Sequence, residues 1–109
     1  MKEIKAIIQH HLLARVIHAL HELPHFPGLT VLEVLGQGRG RGHGGSFELT
    51  EENLFLHRKK MIELICDDAH AGEIVECIRK AAHTGTNGDG IIVVTDIASA
   101  LRIRSGAAL

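Results

Sequence analysis

The chain has 109 residues, 45% of them hydrophobic, with 9 histidines and a formal net charge of -1 at pH 7. That length suits one domain, 1–109, with a real core but no separate substrate and cofactor lobes, and the near-neutral charge gives no electrostatic footprint for nucleic acid or an anionic membrane surface. Three phenylalanines without Trp or Tyr leave little for base-stacking platforms, Cys66 and Cys77 form no CxxC pair and suit reduced thiols in a cytoplasm, and no apolar run nears the ~18 residues of a spanning helix.

In chain order, "EIKAIIQ" (3 to 9) alternates like a strand, and "LLARVIHALHEL" (12 to 23) repeats apolar residues at helical spacing up to Pro24. "GLTVLEVLGQG" (28 to 38) reads as a second strand, with Thr30, Leu32 and Val34 on one face. It runs into "GQGRGRGHGG" and then a stretch with no apolar period, so 39 to 54 is expected to be a long exposed loop. "LFLHRKKMIELIC" (54 to 66) is a third strand. "DDAHAGEIVECIRKAAH" (67 to 83) is an amphipathic helix with Ile74, Val75, Ile78 and Ala82 on its buried stripe and acidic residues in its first turn, where the helix dipole favours them. Gly85 is a candidate C-cap for it, and His83 would favour that helix end when charged. "IIVVTDIA" (91 to 98) closes the series.

The order β-α-β-β-α-β predicts an α+β, ferredoxin-like fold: a four-stranded antiparallel sheet with both helices on one face and a long loop between strands 2 and 3. Several strands carry Ile, Val and Leu on both faces, so the second sheet face is too apolar to meet water and self-association is expected to cover it.

Residues 40 to 45 satisfy G-x-G-x-x-G, but no helix follows whose N-terminus could hold a pyrophosphate, which excludes a Rossmann fingerprint, and the lysine of a Walker A loop is absent. Two readings of the glycine stretch stay open. In one, the amides of Gly36 and Gly38 and the guanidinium of Arg39 form a nest around phosphate oxygens. In the other, it is simply a loop. "TGTNGDG" (84 to 90) alone is a turn, and Arg102 and Arg104 in "RIR" alone are a solvated pair, sharing a side if extended. His18, His21 and His25, with His10 and His11 before them, are weak candidates for a first-row metal, since Pro24 interrupts the helix before His25. His43 and His57 flank the loop from opposite ends. No paired acid, nucleophilic triad or activated cysteine is apparent, so an enzyme is not expected.

Taken together, "MKEIKAII", "GLTVLEVLGQGRGRGH" and "HTGTNGDGIIVVTDIASALRIRSG", in that order and at those separations, resemble the PII signal-transduction proteins, the nitrogen regulatory P-II family. The resemblance covers nearly the whole chain. It implies a cytoplasmic homotrimer that binds ATP or ADP, with AMP as a further candidate, in clefts between subunits and signals through the long loop to a protein partner, a membrane transporter or an enzyme. Thr30, Gly36, Gly38 and Arg39 would hold one side of the nucleotide. Gly88, Asp89 and Gly90 would add backbone contacts to phosphates, and Arg102 and Arg104 would reach across from a neighbouring subunit. Arg41, His43 and Phe47 would belong to the partner-binding loop.

Some positions depart from the family pattern. Ile91 stands where a phosphate-binding lysine follows G-D-G, which removes a charge a triphosphate would use. Gly40 stands where a glutamine helps to hold Mg²⁺ and 2-oxoglutarate, and a glycine has no side-chain oxygen for a hard cation, so both ligands are in doubt. Arg58 or Lys59 would match the lysine that pairs with the 2-oxoglutarate carboxylate. The loop has no tyrosine, so the uridylylation found in part of the family cannot occur. A metal-binding or metal-responsive trimer using its histidines is the alternative function.

Overall fold

A computed structural model describes residues 1–39 and 54–109. Of the expected loop 39–54, only the two ends therefore lie among the described residues, and Gly40, Arg41, His43 and Phe47 lie outside them. The elements are β1 (Lys2–Gln9), α1 (Leu13–His21), β2 (Thr30–Gly36), β3 (His57–Cys66), α2 (Asp68–Ala82) and β4 (Ile91–Asp96). They form one four-stranded sheet in the order β2-β3-β1-β4, antiparallel throughout. The ferredoxin-like reading of the sequence holds.

Alternation sets the layers. In β1, Ile4, Ala6 and Ile8 point to one side and are buried, as are Ile62, Leu64 and Cys66 in β3. Val16 and Leu20 of α1 and Ala71, Ile74, Ile78 and Ala82 of α2 pack on them to complete the core. Each fully buried isoleucine or leucine in this set contributes roughly 1.5–3 kcal/mol relative to its exposed state. Val75, expected on the same stripe as Ile74, lies partly buried against that core. No polar or charged side chain is buried among the described residues.

Several boundaries move from their expected positions. Residues 10–12 form a 3-10 turn ahead of α1 rather than its first turn. The third strand begins at His57, not at residue 54, because Phe55 has a left-handed φ of 53° that interrupts extended backbone. Asp67 sits at the N-cap of α2 without a side-chain capping bond, and Asp68 instead pairs with the N-terminal ammonium at 2.8 Å. His83 occupies the C-cap in extended conformation, so Gly85, with φ 88°, falls two residues beyond it. The "RIR" segment is not extended. Residues 100–109 form a tight hairpin in which Leu101 bridges Ala108 and the Gly106 N–H donates to the Arg102 carbonyl at 2.7 Å.

The register also assigns the other sheet face: Leu32 and Val34 of β2, Met61 and Ile65 of β3, Ile7 of β1, and Ile91 and Val93 of β4. Leu32, Ile65, Ile91 and Val93 are exposed there. Val94, on the helix side of β4, is exposed as well, whereas Ile92 two residues earlier on that side packs partly buried against the core.

Candidate functional site

Asp89 is the hub of the turn between α2 and β4. Its Oδ2 accepts from the backbone N–H groups of Thr84 and Gly85, each at 2.8 Å. Its Oδ1 accepts from the hydroxyls of Thr84 and Thr86 and, at 2.9 Å, from the side-chain amide of Gln9. His83 Nδ1 stands 3.6 Å from Oδ2. These donors, the Thr84 hydroxyl and N–H foremost, favour the charged form and hold the Asp89 carboxyl far below the usual carboxylate range. A carboxylate this fully engaged organises the turn and has no capacity left to ligate a cation.

Two neighbouring side chains fasten this turn to the sheet. Gln9 and Lys59 face each other across β1 and β3. Gln9 reaches Asp89, while Lys59 Nζ donates to the Gly88 carbonyl at 2.9 Å. The Lys59 stem also lies beside Gly36, where a Cβ would come within 3.5 Å of its Cγ. Thus "LGQG" at the end of β2 and "TNGDG" before β4 converge on one end of the sheet around a single ammonium. Of the two candidate cations in β3, Arg58 faces the opposite way and lies 3.6 Å from Glu33. Neither Gly36 nor Gly38 has a positive φ or a crowded Cβ position, so the fold itself does not demand glycine at either. Gly90 differs, with φ 102° and a Cβ position 1.8 Å from the Ile7 carbonyl oxygen. The amide of Gln37 donates to the Leu54 carbonyl at 2.8 Å, which ties together the two ends of the undescribed segment beside Arg39.

Thr30 and Arg102 are at the opposite end. Thr30 pairs with Glu63, whereas Gly36 pairs with His57. Six residues of strand separate the two sites, about 20 Å at ~3.3 Å per residue. Thr30 and Arg102 line an open cleft of about 700 Å³ together with Glu3, His25, Phe26, Glu63 and His70. Arg104 follows on the exposed hairpin turn. One chain therefore brings Gly36, Gly38, Arg39, Gly88, Asp89 and Gly90 to one end of the sheet and leaves Thr30, Arg102 and Arg104 at the other.

The candidate ligands His18, His21 and His25 do not converge. His21 packs on Phe26 with ring centroids 4.3 Å apart, and His25 stacks on His70 at 4.0 Å, while His18 is exposed on α1. Among the described residues no three His, Cys, Asp or Glu side chains are grouped to hold a metal ion. Burial pushes the thiols of Cys66 and Cys77 upward, which keeps both protonated and unreactive. Gln9 escaped the sequence reading because a glutamine at the end of an alternating strand has no local signature. Its partner is 80 residues away, and only the register brings the two together.

Known proteins match the sequence over nearly its whole length. The model of the family described as nitrogen regulatory protein P-II matches residues 1–107. The chain is 41% identical over 106 residues to the nitrogen regulatory protein P-II of Azospirillum brasilense, covering 97% of this chain and 94% of the relative. It is 44% identical over 107 residues to that of Mesorhizobium japonicum, with 97% and 94% covered. To the nitrogen regulatory protein GlnK of Escherichia coli K12 it is 36% identical over 108 residues, with 99% and 96% covered. These relatives are regulators by name and not enzymes, and among the described residues no helix is long and apolar enough to cross a membrane. With nearly the full length matched and the motifs of both glycine turns in place, the chain belongs to the nitrogen regulatory protein P-II family.

Proposed function

We propose that the chain acts as a cytoplasmic signal-transduction regulator that binds an adenine nucleotide, ATP or ADP, between copies of itself in a homotrimer and reports occupancy to a protein partner through residues 39 to 54. The partner is a transporter or an enzyme. The observation that carries this reading is the division of cationic and glycine-rich elements between the two ends of one sheet. Gly36, Gly38, Arg39, Lys59 and Gly88 at one end would cradle phosphates, and Thr30, Arg102 and Arg104 of a neighbouring copy would close the cleft. The open space around Gly38 supports backbone approach by a ligand, and at Gly36 a Cβ would make only ordinary contact with the Lys59 stem, so packing gives no other reason for glycine at either. Ligand contact at the base of the 39–54 segment would bias that segment only by its differential affinity for two states of it.

Mg²⁺ and 2-oxoglutarate are left out of the reading, because Gly40 supplies no side-chain oxygen and Asp89 is fully engaged. The test is calorimetric titration of ATP, ADP, AMP, 2-oxoglutarate and Zn²⁺. ATP or ADP is expected to bind, and loss of the guanidinium in Arg39→Ala or Arg104→Ala should weaken it about tenfold, since a charge-assisted hydrogen bond contributes roughly 1.5–3 kcal/mol. Saturable binding of Zn²⁺ with no response to any nucleotide would overturn the reading in favour of the histidine-based one.

A further inference from the structure

Gln9 is the one side chain of β1 that touches the α2–β4 turn by hydrogen bonding. Its amide donates to Asp89 Oδ1 at 2.9 Å and lies 3.4 Å from the Thr84 hydroxyl. Immediately beyond, Gly90 rests against the Ile7 backbone so closely that no side chain fits. The turn is thus docked on β1 at two consecutive residues, by steric contact at Gly90 and by a donor at Asp89. With the Thr84 and Gly85 N–H groups consumed by Asp89, the N–H groups of Asn87 and Gly88 have no partner among the described residues. We propose that Gln9 is a positioning residue for the anion cradle: by holding the Asp89 carboxylate it fixes the turn in the one arrangement that presents the Asn87 and Gly88 amides beside the Lys59 ammonium. This rests on the nucleotide reading above. Pre-set donors bind an anion without the ordering that a free turn would require.

The chemistry of the contact makes the role testable by pH. Gln9→Leu keeps the bulk and removes the donor. Gln9→Glu places a second carboxylate against Asp89 at neutral pH, and once protonated offers an O–H donor in its place. Like-charge contact raises the pKa of such a glutamate, so the change falls between about pH 5 and about pH 8. The other charged groups facing Asp89 are His83 at its Oδ2, Lys59 through Gly88, and Arg79 in the adjoining pocket. All three are unchanged in both variants, so the difference between the two pH profiles isolates residue 9.

The experiment measures ADP and ATP dissociation constants across that pH range, together with amide hydrogen exchange of Thr84 and Gly85, on wild type, Gln9→Leu and Gln9→Glu. Both variants should exchange faster at Thr84 and Gly85 and bind nucleotide about fivefold more weakly at the upper pH, the worth of roughly one net hydrogen bond. At the lower pH, Gln9→Glu should return toward wild type while Gln9→Leu does not. Unchanged exchange at Thr84 and Gly85, or identical pH profiles for the two variants, overturns the proposal. Exchange reads the turn whether or not nucleotide binds, so a wild type that ignores both nucleotides sinks the functional reading and still decides the role of Gln9. If Gln9→Leu does not fold, the pH profile of Gln9→Glu alone decides, and a flat profile counts against the proposal.

Discussion

At Gly90, one hydrogen atom in place of a side chain decides whether β4 can leave the turn and pair with β1. Its φ of 102° disfavours any L side chain, and a Cβ would sit 1.8 Å from the Ile7 oxygen. The obstacle is backbone inside a sheet, which cannot swing aside as the tip of a lysine can. Gly90→Ala should therefore destabilise the protein by on the order of 3 kcal/mol in urea denaturation, and a loss below half that figure would mean the strand end relaxes more readily than the geometry implies. Asp89 leads to a second expectation, in pH. Its folded-state pKa is depressed below the ordinary 3.8, so its stabilising contribution is complete above that value and drains away as the pH falls through and below it. Asp89→Asn cannot titrate, and its stability should fall less steeply on the acid side than that of wild type. Parallel acid limbs would show that the carboxylate is not held as described. The residue type at Gly90 was legible in the sequence through the G-D-G motif, but its reason was not, because the atom it must avoid belongs to a strand more than eighty positions earlier.

The helices and strands were legible where a periodic apolar pattern met a clear stop. Ile74, Ile78 and Ala82 of the expected α2 stripe are buried, with Ala71 joining them and Val75 only partly covered, and the alternation of β1 sorts its residues between core and open face as the spacing implies. Boundaries failed where local backbone overrode pattern, as at Phe55, whose positive φ delays β3, and at 10–12, where the chain tightens into a 3-10 turn before α1. The "RIR" pair would share a side only if extended, and the segment, too short to reveal its conformation, instead lies in a hairpin closed by Leu101 and Ala108. Within α2, Gly72 stands exposed in the second turn, has no positive φ, and would meet nothing within 4 Å if given a Cβ. Gly72→Ala is expected to stabilise the protein by about 0.5–1 kcal/mol, through reduced freedom of the unfolded chain and better helix propensity. A thermal midpoint unchanged or lowered in the variant would indicate that the open space beside Gly72 is taken up in the assembled protein.

At the scale of the whole molecule, the proposed assembly of several copies rests on the sheet's open face and on the division of the candidate site. Leu32, Ile65, Ile91 and Val93 are exposed on the open face among the charged Glu3, Lys5, Lys59 and Glu63, and Val94 is exposed on the helix side of β4. The site residues divide between the two ends of the sheet, and a charge count along the sequence could not have revealed this, since Thr30 and Gly36 are neighbours in the chain and opposite in the fold. A nucleotide cleft completed between copies makes a prediction that a cleft within one chain cannot share. Arg39→Ala and Arg102→Ala should each weaken ADP binding about tenfold as pure variants. When the two are unfolded together and refolded as mixed assemblies, an interface is intact if its first copy retains Arg39 and its second retains Arg102. Random assortment of equal amounts makes about one quarter of the interfaces intact, whatever the closed cyclic arrangement. Titration of the mixture should therefore recover wild-type affinity at about a quarter of the sites, with the remainder weak. If each site were built within a single chain, every chain would carry one lesion and mixing would restore nothing. A mixture that binds no better than its two components would require Arg102 to act elsewhere than on the nucleotide held by Arg39.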